Sequence, residues 1–158
     1  MRAEDLERVR AIYLEGIATG DATFETDAPE FDAWDAAHLR ACRLVARMGG
    51  EVAGWAALSP VSSRCVYGGV AEVSVYVGEK FRGRGVGRAL LSTLVEESER
   101  AGLWTLQAGV LAENAASIKL HERCGFRVVG ERERLGKLKG VWRDVVLLER
   151  RSAIVGSD

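Results

Sequence analysis

Histidine and proline each occur only twice in this chain of 158 residues, and cysteine three times. These scarcities exclude several kinds of site. Cys42, Cys65 and Cys124 are odd in number and none lies close to another, which argues against a disulfide framework or a Cys-x-x-Cys metal site. They read as small apolar side chains. With only His38 and His121 to add, no zinc cluster is expected. No apolar run approaches the length of a membrane span, and the polar N-terminal residues lack the apolar core of a signal peptide. The expected location is therefore the cytoplasm. Excess charge is also missing: 22 basic residues face 23 acidic ones. Such a chain has no global attraction for nucleic acid or an anionic membrane. Any polyanion it binds must be captured locally.

What is present suits one globular domain, expected over residues 1–150 with a frayed tail at 151–158. Residues 4–18 carry Leu6, Val9, Ile12, Tyr13 and Ile17 at helical spacing, ending by Gly20. A second helix is expected over 31–40, with Phe31, Trp34 and His38 on one side. Gly49-Gly50 between residues 43–48 and 52–58 signals a hairpin. Residues 59–69 read as a long loop. Residues 70–77 alternate as a strand, Ala71, Val73, Val75 and Val77 to one side, Glu72, Ser74 and Tyr76 to the other. Leu90, Leu91, Leu94 and Val95 then mark a helix that Gly102 closes. A strand over 103–111 and a helix over 114–123 follow. Closing strands at 126–130 and 142–148 flank a basic loop holding Lys137 and Lys139. This order implies an α/β chain with a mixed sheet and helices on both faces.

Between the alternating strand and the following helix lies Arg82-Gly83-Arg84-Gly85-Val86-Gly87-Arg88. Glycines let a backbone turn sharply and approach a ligand. The helix start adds unpaired N–H donors and the positive end of its dipole. The arginines add forked donors suited to phosphate oxygens. No Gly-Lys-Ser/Thr ending follows, which disfavours a nucleoside-triphosphate loop, and the glycine spacing is not that of dinucleotide sites. A plain tight turn is the competing reading.

Arg82-x-x-Gly85-x-Gly87 after an apolar strand resembles the acetyl-CoA pyrophosphate loop of the GNAT N-acetyltransferase superfamily. Four further segments resemble its phosphinothricin N-acetyltransferase family: Gly16-Ile-Ala-Thr-Gly-Asp-Ala-Thr-Phe-Glu-Thr26, Ala71-Glu-Val-Ser-Val-Tyr-Val77, Asn114-Ala-Ala-Ser-Ile-Lys-Leu-His121 and Gly140-Val-Trp-Arg-Asp144. The resemblance implies the GNAT fold, in which the strands at 70–77 and 103–111 splay apart to admit acetyl-CoA. It implies a small amine acceptor such as phosphinothricin, methionine sulfoximine or methionine sulfone, and a homodimer. The family's short leading strand has no counterpart before the first helix.

Glu72 stands in an otherwise apolar strand, where isolated charge is costly, so desolvation is expected to prepare it as a proton acceptor. The resemblance gives it the role of catalytic base; the alternative is an ordinary strand carboxylate. Val75, Tyr76 and Val77 end that strand, where backbone groups could pair with an amide-like pantetheine arm. Asn114, Ser117 and His121 share one helix face. His121, four before Gly125, occupies the position from which the family protonates the thiolate; it could act so or as a partner of Glu72. Asn114 could contact the pantetheine arm or cap its own helix. Phe24, Arg64 and Tyr67 are candidates for the acceptor pocket, Arg64 for holding an α-carboxylate. A solvated loop arginine is the alternative. Rival functions are acetylation of protein N-termini or lysines, and a CoA-binding module without activity.

Overall fold

The computed structural model describes residues 1–157. After one turn of 3-10 helix, α1 spans Leu6–Thr19 and buries Val9, Ile12 and Gly16. It stops at Gly20, whose φ of 78° is the left-handed value that suits glycine. Helix α2 is Phe31–Ala37, three residues shorter at its end than expected. Arg43 sets that end: its guanidinium donates to the carbonyls of Asp35, His38 and Leu39, and pairs with the Asp35 carboxylate. Strands β1 (Leu44–Met48) and β2 (Glu51–Pro60) form the expected hairpin around Gly49 and Gly50, both at positive φ. Strand β3 is Val70–Val77 and α3 is Val86–Arg100. Strand β4 is Thr105–Leu111 and α4 is Ala115–Arg123.

The last two strands are longer than their apolar patterns suggest. Strand β5 runs Arg127–Leu138 and β6 Val141–Arg151. The basic stretch is therefore not a loop. Lys137 pairs in register with Trp142, and its ammonium sits 4.9 Å from that ring centroid. Only Lys139 and Gly140 turn the chain. Residues 152–156 are also docked rather than frayed. Ser152 is buried, its N–H donates to Trp104 O at 2.8 Å, and its hydroxyl donates to Glu99. That hydroxyl also accepts from Ile154 and Val155. Asp158 lies outside the described residues.

Among the described residues six strands lie in the order β1-β2-β3-β4-β6-β5, and β3 with β4 is the single parallel neighbour pair. Helices α1 and α2 cover one face through Val9, Ile12 and Trp34 against Val52, Trp55 and Ala57. Helix α3 covers the other through Leu90, Leu91, Leu94 and Val95, against Ala53, Ala56, Leu58, Ala71, Leu106 and Leu148. Strand β2 switches which parity faces which layer. A bulge causes the switch: Ala46 opposes Gly54 while Arg47 opposes Val52, which leaves Ala53 as an extra residue.

Strands β3 and β4 pair only over Val70–Thr105, Ala71–Leu106 and Glu72–Gln107. Beyond Glu72, β3 stays with β2 as far as Val77; beyond Gln107, β4 stays with β6 as far as Leu111. The sheet therefore opens as a wedge, and the loop before α3 lies at its mouth.

Candidate active site

The wedge leads into an open cleft of about 1170 Å³, walled by β3, β4, the loop before α3, α4 and the segment after α1. At its mouth Gly83 and Gly85 hold φ values of 71° and 82°, which a side chain would strain. Gly85 is also the N-cap of α3. Gly87 has a different reason: a Cβ there would come within 3.1 Å of Leu120 on α4. The glycine pattern thus combines turn geometry with close helix packing. Arg82, Gly83, Gly85, Val86, Gly87 and Arg88 line the cleft. Arg82 donates to Val77 O at 3.3 Å. Arg84 is not on the cleft wall; its guanidinium lies 5.9 Å from the Phe81 ring centroid. Among the described residues none of these three arginines is paired with a carboxylate. A positive helix start, a bare turn and unneutralised guanidinium groups fit a diphosphate.

Alternation along β3 decides which backbone groups meet the cleft. Gly78 N–H donates to Ala53 O on β2 at 2.8 Å. By alternation Tyr76 turns its backbone to β2, whereas Val75 and Val77 turn theirs to the open side. The Tyr76 side chain does other work. It stacks on Trp55 with centroids 4.9 Å apart and meets the edge of Tyr13 at 4.8 Å. It lies so close to α1 that a Cβ on Gly16 would approach it to 2.8 Å. Burial pushes its phenol pKa far above the usual value.

Glu72 lines the cleft at the last β3–β4 pair. Its carboxylate is exposed, not desolvated as its apolar neighbours suggested, because the wedge opens beside it. Gln107, absent from the residues singled out by sequence, donates from Nε2 to Glu72 Oε2 at 2.8 Å. The signal was a polar residue inside an apolar strand, but its partner was set only by strand register.

On α4, Asn114 Oδ1 accepts from Ser117 N at 3.1 Å, so Asn114 caps the helix. Its Nδ2 donates to Asp21 O at 3.2 Å and ties the helix to the loop after α1. His121 is buried against the edge of Phe126, yet it still lines the cleft. Its Nδ1 lies 2.8 Å from Ser117 O, which requires a proton on Nδ1. Nε2 is buried without a hydrogen-bond partner among the described residues. Burial lowers the His121 pKa, partly opposed by the bond to Ser117 O. The ring is therefore neutral at pH 7, with a free lone pair on Nε2.

Phe24 lines the cleft and packs against Leu111, Leu138 and Val145. Arg64 and Tyr67 do not line it; they stand exposed on the loop before β3, the guanidinium 5.5 Å from the tyrosine centroid. Arg143 and Asp144 carry positional roles that sequence did not assign. Arg143 bonds Asp21 at 2.7 Å and Glu113 at 2.8 Å, clamping two loops at the cleft. Asp144 accepts from Arg134 N at 2.7 Å and holds the bulge of β5, whose Arg132 and Leu135 reach the cleft. Among the described residues no group of His, Cys, Asp and Glu is arranged to hold a metal ion.

Comparison with known proteins shows the family and agrees with the fold. Residues 7–126 match the model of the Acetyltransferase (GNAT) family. The chain is 34% identical to a phosphinothricin N-acetyltransferase of Alcaligenes faecalis over 157 residues, 95% of this chain and 79% of the relative. It is 32% identical to an L-methionine sulfoximine/L-methionine sulfone acetyltransferase of Pseudomonas paraeruginosa, over 92% of this chain and 88% of the relative. Its fold is similar to a GNAT superfamily phosphinothricin acetyltransferase from Sinorhizobium meliloti in complex with AcCoA. That match has a TM-score of 0.89 at 28% identity and covers 100% of this chain and 89% of the other.

Proposed function

The chain belongs to the GNAT acetyltransferase family, and from that premise we propose that it acetylates the α-amine of a small amino-acid-like acceptor. It is an acetyl-CoA-dependent N-acetyltransferase of the phosphinothricin type. Phosphinothricin, methionine sulfoximine and methionine sulfone are the acceptors we assign, because relatives across nearly the whole chain carry those names.

One observation carries the reading: Glu72 stands at the point where the sheet parts, beside the open backbone edge of β3. The diphosphate of the donor rests on Gly83, Gly85, Val86, Gly87, Arg82 and Arg88. Arg84 adds charge from behind the loop. The pantetheine arm extends along the open side of Val75 and Val77, past Tyr76, with Asn114 and Ser117 on the facing wall. Glu72 accepts the first proton from the acceptor ammonium, directly or through water. The freed amine attacks the thioester carbonyl, the C–N bond forms and the C–S bond breaks. A backbone N–H on the open edge of β3 stabilises the carbonyl oxygen as charge grows on it. The nitrogen gives up its second proton and the departing sulfur takes one up, and His121 on the cleft wall is the residue we assign to that relay. Both reactants react while held together, and no covalent bond to the protein forms.

Phe24 forms part of the acceptor pocket. Arg64 and Tyr67 stand exposed here, so they would reach the acceptor only if their loop folds over the cleft. A reaction that consumes acetyl-CoA suits the cytoplasm. The free outer edge of β5, with Val128 and Val129 exposed, offers a surface for a homodimer. Measuring CoA release with free amino acids, their sulfone and sulfoximine analogues, and peptides tests the assignment. Turnover on the small analogues at least about tenfold above that on peptides is expected, on the scale a few pocket contacts supply. Preference for peptides would point to a protein acceptor, and tight CoA binding without transfer to any amine would point to a binding module.

A further inference from the structure

Strand β5 breaks its pairing beside the cleft. Arg132 pairs with Val145 and Gly136 with Arg143, so Glu133, Arg134 and Leu135 together oppose Asp144 alone. Bulges re-aim side chains and recur next to active sites. Here Arg134 takes a left-handed φ of 47°, and its N–H donates to the Asp144 carboxylate at 2.7 Å. In a regular strand Arg132 and Leu135, three residues apart, would face opposite sides. With the bulge, both line the cleft.

Register puts Arg132 on the same face of the sheet as Glu72. Glu72 neighbours Gln107 on β4; four residues further along β4, Leu111 neighbours Val145 on β6, and Val145 neighbours Arg132. Cross-strand partners share a face, as do residues an even number apart along one strand. Leu111 and Val145 pack against Phe24, so Arg132 borders the acceptor side of the cleft.

Charge singles this position out. Of the arginines on the cleft wall, Arg82 and Arg88 flank the turn before α3 and Arg123 ends α4; Arg132 alone stands on the Glu72 face of the sheet. Arg143 is already occupied by Asp21 and Glu113. Arg132 is exposed and among the described residues pairs with no carboxylate. The backbones of Glu72 and Arg132 are on the order of 20 Å apart, from four residues of strand rise and three strand spacings. Both side chains shorten that gap. An α-carboxylate, one carbon from the amine that Glu72 serves, falls short of Arg132. An acid further along the acceptor side chain does not.

Resting on the acceptor reading above, we propose that Arg132 determines specificity by binding a negatively charged group at the far end of the acceptor side chain. The preferred class is then amino acids that carry an acid two methylenes beyond the α-carbon, a phosphinate or a carboxylate, over those with a neutral sulfone or sulfoximine there. The guanidinium holds the two acidic oxygens as a fork, and Phe24 and Leu135 cover the methylenes between.

The test compares phosphinothricin with methionine sulfone as acceptors for the whole protein and acetyl-CoA. In the wild type, kcat/KM for phosphinothricin should exceed that for methionine sulfone by at least about tenfold, the scale of a charge-assisted hydrogen bond. Arg132→Leu should lower kcat/KM for phosphinothricin by about tenfold, through KM, and that for methionine sulfone by less than about threefold. CoA affinity, measured by calorimetry, should not change. Arg132→Lys should keep part of the preference, because the charge stays while the fork is lost. Arg132→Glu should turn the preference toward methionine sulfone. A ratio of the two acceptors that is the same in Arg132→Leu as in the wild type overturns the role of Arg132 and leaves the acceptor reading standing. So does an equal loss on both acceptors. A wild-type preference for methionine sulfone overturns the acidic class. Absence of turnover on every amino acid would overturn the acceptor reading itself, and this inference with it.

Discussion

Gln107 donates a hydrogen bond to Glu72 across the last residue pair that β3 and β4 share, at 2.8 Å. One residue further along, the two strands have parted. The carboxylate is thus aimed by its neighbour at the site where the sheet opens, and both residues face the α1 side.

Replacing Glu72 with Gln should reduce turnover by a hundredfold or more, the usual scale for a lost general base, while CoA affinity is retained. Steady-state kinetics and calorimetry on the same preparation check this. Near-normal turnover would remove Glu72 from the mechanism. Gln107→Leu should lower kcat/KM by roughly tenfold, because it releases the carboxylate without deleting it.

Arg88 and Arg84 should behave differently although both belong to the same loop. Arg88→Ala is expected to weaken CoA by about tenfold, the scale of one charge-assisted bond. Arg84→Ala should change affinity by less than about threefold, since its guanidinium lies over Phe81 outside the cleft. Equal losses in the two variants would place Arg84 on the phosphates.

Acid should destabilise the fold before its carboxylates are affected. Burial lowers the pKa of both His121 and His38. Below about pH 6.5 the unfolded chain takes up protons that the folded chain resists, so stability falls as pH drops through that value. Urea midpoints at pH 7.5 and 5.5 measure the loss, and His121→Gln should reduce it. A midpoint that rises toward pH 5.5 would contradict the burial of these rings as uncharged groups.

Asn114→Ala should cost about 1 kcal/mol of stability, as lost N-caps do. It also frees Asp21 O, so the acceptor KM should rise more than the CoA Kd. Thermal unfolding and kinetics together check this. Equal changes in the two constants would mean that Asn114 does not order the loop after α1.

Much of this protein could be read from local sequence. Period-two alternation placed β3 at both of its ends, and Gly49-Gly50 marked the first hairpin. Glycine and arginine marked the turn before α3, and Asn114 marked the start of α4. These features depend on residues a few positions apart, where backbone preference and side-chain spacing act directly. Long-range contact decided the rest. The partnership of Gln107 with Glu72 depends on strand register, and the exposure of Glu72 on where two strands part. The proton on His121 Nδ1 is fixed by the approach of Ser117 O, and the separation of Arg64 and Tyr67 from the cleft by the path of their loop. Periodicity determines which face of an element is apolar; only packing determines which neighbour that face meets and where the neighbours leave a gap.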